Sequence, residues 1–208
     1  MKFNNSDTKK LLQIMKARRD VRGNRFINKE IEDEKLSLIL EAGISAPSVG
    51  YSQPWKFVVI KNLNIKESIL KNFENENTKA KEIFKDKELY KKLKLEGIKE
   101  APINIAVLYE PSQKEVLGST SMKQMGEYSV VCAIQNMWLM ARALNIGIGW
   151  VSILDEKKVL KELDSQKDSS LIAYLCIGYV DKFYEESELK TLGWDVQKKM
   201  SECVEIKD

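Results

Sequence analysis

The 208-residue chain contains no histidine at all. That absence removes Ser-His-Asp and Cys-His nucleophile pairs and every imidazole metal site. Cysteine is scarce. Cys132, Cys176 and Cys203 are odd in number and far apart, so neither a disulfide framework nor a Cys-x-x-Cys zinc or redox pair fits them. Cys132 and Cys176 lie in apolar runs and read as buried packing residues. No run of about 18 apolar residues occurs, and the opening MKFNNSDTKK has no signal-like apolar stretch. The expectation is a soluble, cytoplasmic chain with no membrane partner. Net charge is only +3, which leaves no basic footprint for nucleic acid. An enzyme made from this chain would draw its chemistry from an organic cofactor.

What is present suits one folded domain over 1–208. At 23.9 kDa, area scaling gives roughly 9,900 Å² of folded surface, about 30% of the unfolded value, so a core forms without staples. Leu11, Leu12, Ile14 and Met15 recur at helical spacing after a capping Ser6, and a second amphipathic helix is expected from about Glu32 to Ile44. Ala46–Trp55, with two of the four prolines and Gly50, reads as a shaped loop. Lys56–Lys61, Ile103–Tyr109, Gly147–Ile153 and Leu171–Val180 read as strands. Tyr128–Leu144 is apolar nearly all round, the pattern of a central or interface helix. The charged stretch of about 65–100 is helical in character and could fold over something as a lid. A polar arm follows from about 182 to 208. Irregular alternation of helices and strands favours a sheet flanked by helices.

Five of the 34 basic residues are arginine, and Arg18, Arg19, Arg22 and Arg25 fall within eight positions. Such clustering suits a site that needs the planar guanidinium fork for phosphate or carboxylate. Surface ion pairs with Glu30, Glu32 and Asp33 are the plainer alternative. Asp20, inside the cluster, would oppose a phosphate that it faced; it therefore orients an arginine, caps a turn or meets another part of a ligand. Gly147-Ile148-Gly149 enters a strand instead of leaving one, so the dinucleotide fingerprint Gly-x-Gly-x-x-Gly is not matched. Glycine within a strand marks close approach by a ligand or by backbone. Beyond it, alternation sends Trp150 and Ser152 to one side and Val151 to the other.

Five motifs, Arg18–Arg22 (RRDVR), Ala46–Phe57 (APSVGYSQPWKF), Lys94–Ile98 (KLEGI), Tyr128–Asn136 (YSVVCAIQN) and Gly147–Ile153 (GIGWVSI), occur in one order. Together they resemble the nitroreductase-like flavoprotein superfamily over about residues 15–195. Asp20 and Tyr51 stand where ordinary nitroreductases resemble Ser and Asn, and this is similar to the BluB branch, the 5,6-dimethylbenzimidazole synthases. The resemblance implies an α+β fold with a mostly antiparallel central sheet flanked by helices, a homodimer, and FMN at the subunit interface. It further implies that Arg18, Arg19 and Arg22, with Asp20 and Val21 between them, hold the phosphate and ribityl chain, and that Ser48 and Gln53 reach FMN from a second subunit. Gly149, Trp150, Val151 and Ser152 would run along the isoalloxazine, and Leu95 would belong to the lid. In that branch reduced FMN reacts with dioxygen and is fragmented to the lower ligand of vitamin B12, with a separate flavin reductase as a partner. Asp20, assisted by Ser152, is then the catalytic candidate. The alternative implied by the same family is an NAD(P)H-dependent reductase of nitroaromatics or quinones.

Overall fold

The computed structural model describes residues 1–207; the last residue of the expected arm, Asp208, lies outside them. Helix α1 runs over Asn5–Ala17. Its cap is Asn4 and not Ser6: the Asn4 Oδ1 accepts from the Ser6 and Asp7 amides, and the Asn4 amide in turn donates to the Asp7 carboxylate. This reciprocal box satisfies more of the free amides of the first turn than a lone serine hydroxyl could. Helix α2 spans Asp33–Ile44, with Asp33 and Glu34 at its positive end and Leu36 and Ile39 buried.

Four strands, β1 (Trp55–Ile60), β2 (Ile103–Tyr109), β3 (Ile146–Val151) and β4 (Ser170–Tyr179), form one antiparallel sheet in the order β1-β2-β4-β3. This is the α+β arrangement expected from the sequence. Alternation along the strands separates two cores. Ile103, Ile105 and Val107 of β2 and Leu175 and Ile177 of β4 pack on one face against α2 and α5, the latter spanning Met125–Ala143. Ala106, Leu108, Tyr174 and Cys176 point to the other face, where α3 (Leu63–Ile83) brings Ile69 and Phe73 and α6 (Glu156–Glu162) brings Val159. Much of the 65–100 stretch is therefore scaffold for the second core. The short α4 (Glu88–Lys92) and the segment after it extend beyond the sheet.

Cys176 is fully buried, and burial pushes its thiol well above the ordinary cysteine range. Cys132 is exposed, contrary to the expected core position. It lies on the outer side of α5 with the exposed Tyr128 and Val131, because only the opposite side of that all-apolar helix reaches the sheet. The chain exposes 13,932 Å², far above the roughly 9,900 Å² usual for its mass. Exposed apolar side chains within that surface include Leu11, Leu12 and Met15 of α1 and Tyr51 in the loop before β1. Among the described residues no helix is long and apolar enough to cross a membrane.

Candidate active site

The segment after α1 lies along the outer edge of β3. Asp20 bridges to Ile148 in parallel, and the Val21 amide donates to the Ile148 carbonyl at 3.0 Å. Gly149 makes this approach possible: a Cβ there would fall inside the van der Waals radius of the Val21 carbonyl oxygen. The missing side chain thus admits backbone, one of the two uses expected for it. Val21 itself is buried.

Asp20 is fixed from two sides. Its Oδ1 accepts from the Trp150 amide at 3.0 Å, and its Oδ2 meets the Arg22 Nη2 at 2.5 Å. Burial raises its pKa above the ordinary carboxylate value; Arg22, the Trp150 amide and Arg18 oppose the rise, and Glu188 adds to it. The side chain still keeps 34% of its exposure, and that part opens into a cleft.

The cleft holds about 180 Å³ and has Arg18, Arg19, Asp20 and Arg22 as its floor. One wall is Leu93–Leu95, and the other is Tyr184 with Ser187–Leu189 from the arm and from α7 (Glu188–Thr191). The arm is joined to the covering segment by aromatic contacts, Trp194 lying 5.8 Å from Phe84 and 6.3 Å from Tyr90 between ring centroids. The arginines are used differently. Arg22 donates from Nη1 to the Leu95 and Trp150 carbonyls, each at 2.9 Å. Arg19 donates to the Lys16, Arg18 and Glu185 carbonyls, and its Nε is buried without a partner. The Arg18 guanidinium lies 4.9 Å over the Trp138 ring and has no hydrogen bond to another described residue.

Ser48 and Gln53 do not line this cleft. They close their own loop, the Ser48 Oγ accepting from the Gln53 amide at 3.1 Å. Tyr51 and Gln53 have φ of 55° and 46°, left-handed conformations that non-glycine residues rarely adopt. Val151 is buried in the core beside α3 and α6, while Ser152 is exposed just past the end of β3. The wall residues Tyr184 and Glu188 carry no sequence assignment. Their signal is weak, a tyrosine and a glutamate four apart in a polar arm, yet Tyr184 accepts from Arg25 at 2.8 Å and donates to Glu188 at 3.3 Å.

Two curated relatives share this chain over most of its length. The 5,6-dimethylbenzimidazole synthase of Rhodospirillum rubrum is 38% identical over 185 residues, 87% of each chain. The protein of that name from Rhodobacter capsulatus is 33% identical over 199 residues, 93% of this chain and 95% of its own. Among solved structures, an iodotyrosine deiodinase bound to FMN and 3-iodo-L-tyrosine superposes with a TM-score of 0.67 at 23% identity, covering 84% of this chain and 91% of that one. The sheet order, the arginine segment against β3 and the following strands all lie within residues 15–179, the stretch matched by the nitroreductase family model, and the chain belongs to that family.

Proposed function

We propose that the chain is a flavin-dependent oxidoreductase that fragments reduced FMN, with dioxygen, to 5,6-dimethylbenzimidazole. The observation that carries this reading is the Asp20 carboxylate, held by Arg22 and the Trp150 amide and open to an arginine-lined cleft. It stands in a chain 38% identical to a protein of that name. The residues present fit FMN. The unpartnered Nε of Arg19 and the free guanidinium of Arg18 are donors suited to a phosphate. When bound and reduced, FMN supplies the electrons for dioxygen and the carbon skeleton of the product, one ribityl carbon included.

The chain supplies the surroundings. Arg18 binds the phosphate, joined by the one uncommitted donor of Arg19, its Nε. Asp20 holds or moves a proton at its cleft-facing oxygen, and its raised pKa keeps that proton on to higher pH than an exposed aspartate would. Ser152 assists. Leu93, Leu95 and Leu189 shield the cleft from water. Ser48 and Gln53 come from a second copy in a homodimer, which would cover the apolar surface left open on α1 and α5. Reduced FMN is delivered by a separate flavin reductase.

Aerobic incubation of the purified chain with reduced FMN, followed by mass spectrometry, is expected to yield 5,6-dimethylbenzimidazole. Full recovery of flavin without product, alongside rapid bleaching of bound flavin by NADH or NADPH and turnover of a nitroaromatic, would replace this reading with the general family activity.

A further inference from the structure

We propose that Arg22 is a positioning residue that couples closure of the segment Leu95–Gly97 to the orientation of the Asp20 carboxylate, and that it is not a ligand of the phosphate. The inference rests on the function proposed above for its catalytic consequence, but its geometry is internal to the chain. Both N–H groups of the Arg22 Nη1 are engaged, one by the Leu95 carbonyl and one by the Trp150 carbonyl, and Nη2 is held by Asp20. A phosphate could take the Nη1 donors only by leaving a partly buried carbonyl unpaired. Arg18, with no such commitments, has no comparable obstacle. Next to Arg22, the Gly23 amide donates to the Glu96 carbonyl at 2.8 Å. On the inner side, the Glu96 carboxylate is buried, accepting from the Ile98 amide at 2.7 Å and pairing with Lys94. Arg22–Gly23 and Leu95–Glu96 are thus sutured by neighbouring hydrogen bonds. The same guanidinium that fastens the cover fixes the acid beneath it. Only a planar fork reaches all three acceptors, which explains arginine here in a lysine-rich chain.

The test uses Arg22→Gln and Arg22→Lys in the full chain, first without flavin. In Arg22→Gln, amide hydrogen exchange at Gly23 and Trp150 is expected to speed up about tenfold or more. The Asp20 carboxyl, followed by carbon-13 NMR, should titrate at higher pH, because the Arg22 charge that lowers its pKa is lost; of the other charges facing it, Arg18 still lowers it and Glu188 still raises it. Arg22→Lys restores a charge beside Asp20 but not two carbonyl bonds, so the titration should return towards that of the parent while exchange stays fast. With FMN added, affinity should change by less than about threefold in both variants, while product formation in Arg22→Gln falls about a hundredfold or more. Unchanged exchange and unchanged Asp20 titration in both variants would overturn the proposal. So would a loss of FMN affinity as large as that of Arg18→Ala. If Arg22→Gln does not fold, the split between charge and carbonyl bonds in Arg22→Lys decides. A parent that binds no FMN would remove the flavin reading and leave the flavin-free measurements to judge the clamp.

Discussion

Arg18–Gly23 and Ala46–Trp55 are the two stretches with the densest motifs, and the fold handles them in opposite ways. The first is laid against β3 with its backbone paired, its aspartate held at both oxygens and its third arginine bound to three acceptors. The second protrudes. Tyr51 is 83% exposed, and three residues of the loop, Gly50, Tyr51 and Gln53, have positive φ. It is anchored mainly at its ends and base, by the Ser48–Gln53 bond, a Val49 amide that donates to Ser129 at 3.0 Å, and the Pro54 carbonyl, which accepts from the Glu110 amide at 2.8 Å. Backbone held in sparsely populated conformations is usually maintained for contact or chemistry. The difference teaches that a motif names a chemistry without saying whether its partners lie in the same chain. The first stretch is finished within one copy, and under the proposed dimer the second is finished only by another.

The contrast can be broken at several points. Asp20→Asn should retain FMN affinity within a few-fold yet lose product formation by about 10²–10⁴, the usual range for a lost acid or base, as read by product mass spectrometry and flavin fluorescence. Arg18→Ala should weaken FMN binding by roughly 10- to 150-fold, the equivalent of a charge-assisted bond of about 1.5–3 kcal/mol. Its unfolding midpoint in urea should barely move, since the side chain lies over the Trp138 ring without a hydrogen bond to another described residue. Gly149→Ala should cost about 1–3 kcal/mol of stability by wedging Val21 off β3, and urea denaturation measures it. Tyr51→Gly should instead raise stability slightly, by up to about 1 kcal/mol, because it relieves a left-handed conformation. Were Gly149→Ala harmless and Tyr51→Gly damaging, the assignment of finished and unfinished stretches would be reversed. The smallest effect is a slope. Asp20 has a raised pKa in the folded chain, so the unfolded chain sheds its proton first as pH rises. The stability of the parent relative to Asp20→Asn should therefore fall as pH climbs from the ordinary aspartate value through the folded one, then level off. Urea melts across that window would detect it.

The strands were readable in the sequence because alternation and apolar runs survive into the sheet; Ile103–Tyr109 forms β2 with those bounds. The cap of α1 lies two residues before Ser6 because Asn4 and Asp7 form a reciprocal pair, which outcompetes a single serine hydroxyl. Cys132 was misplaced because an all-apolar helix does not declare which side meets the sheet. In the candidate site, the arginine cluster and Asp20 were legible by composition and order. The partners of Arg22 were not, since two of them are backbone carbonyls, which leave no residue signature. Tyr184 and Glu188 were invisible for another reason. A polar C-terminal arm reads as solvated until a fold turns one side of it inward.

The large exposed area has a practical result for anyone handling this molecule. A lone copy in dilute solution wears several thousand square ångströms of surplus skin, with Leu11, Leu12 and Met15 among its greasy points. Under the proposed homodimer, folding and pairing run as a single reaction, so the melting temperature should climb with protein concentration. Thermal scans at one dilution would therefore understate how durable the chain is at higher concentration, and dilute storage would invite clumping.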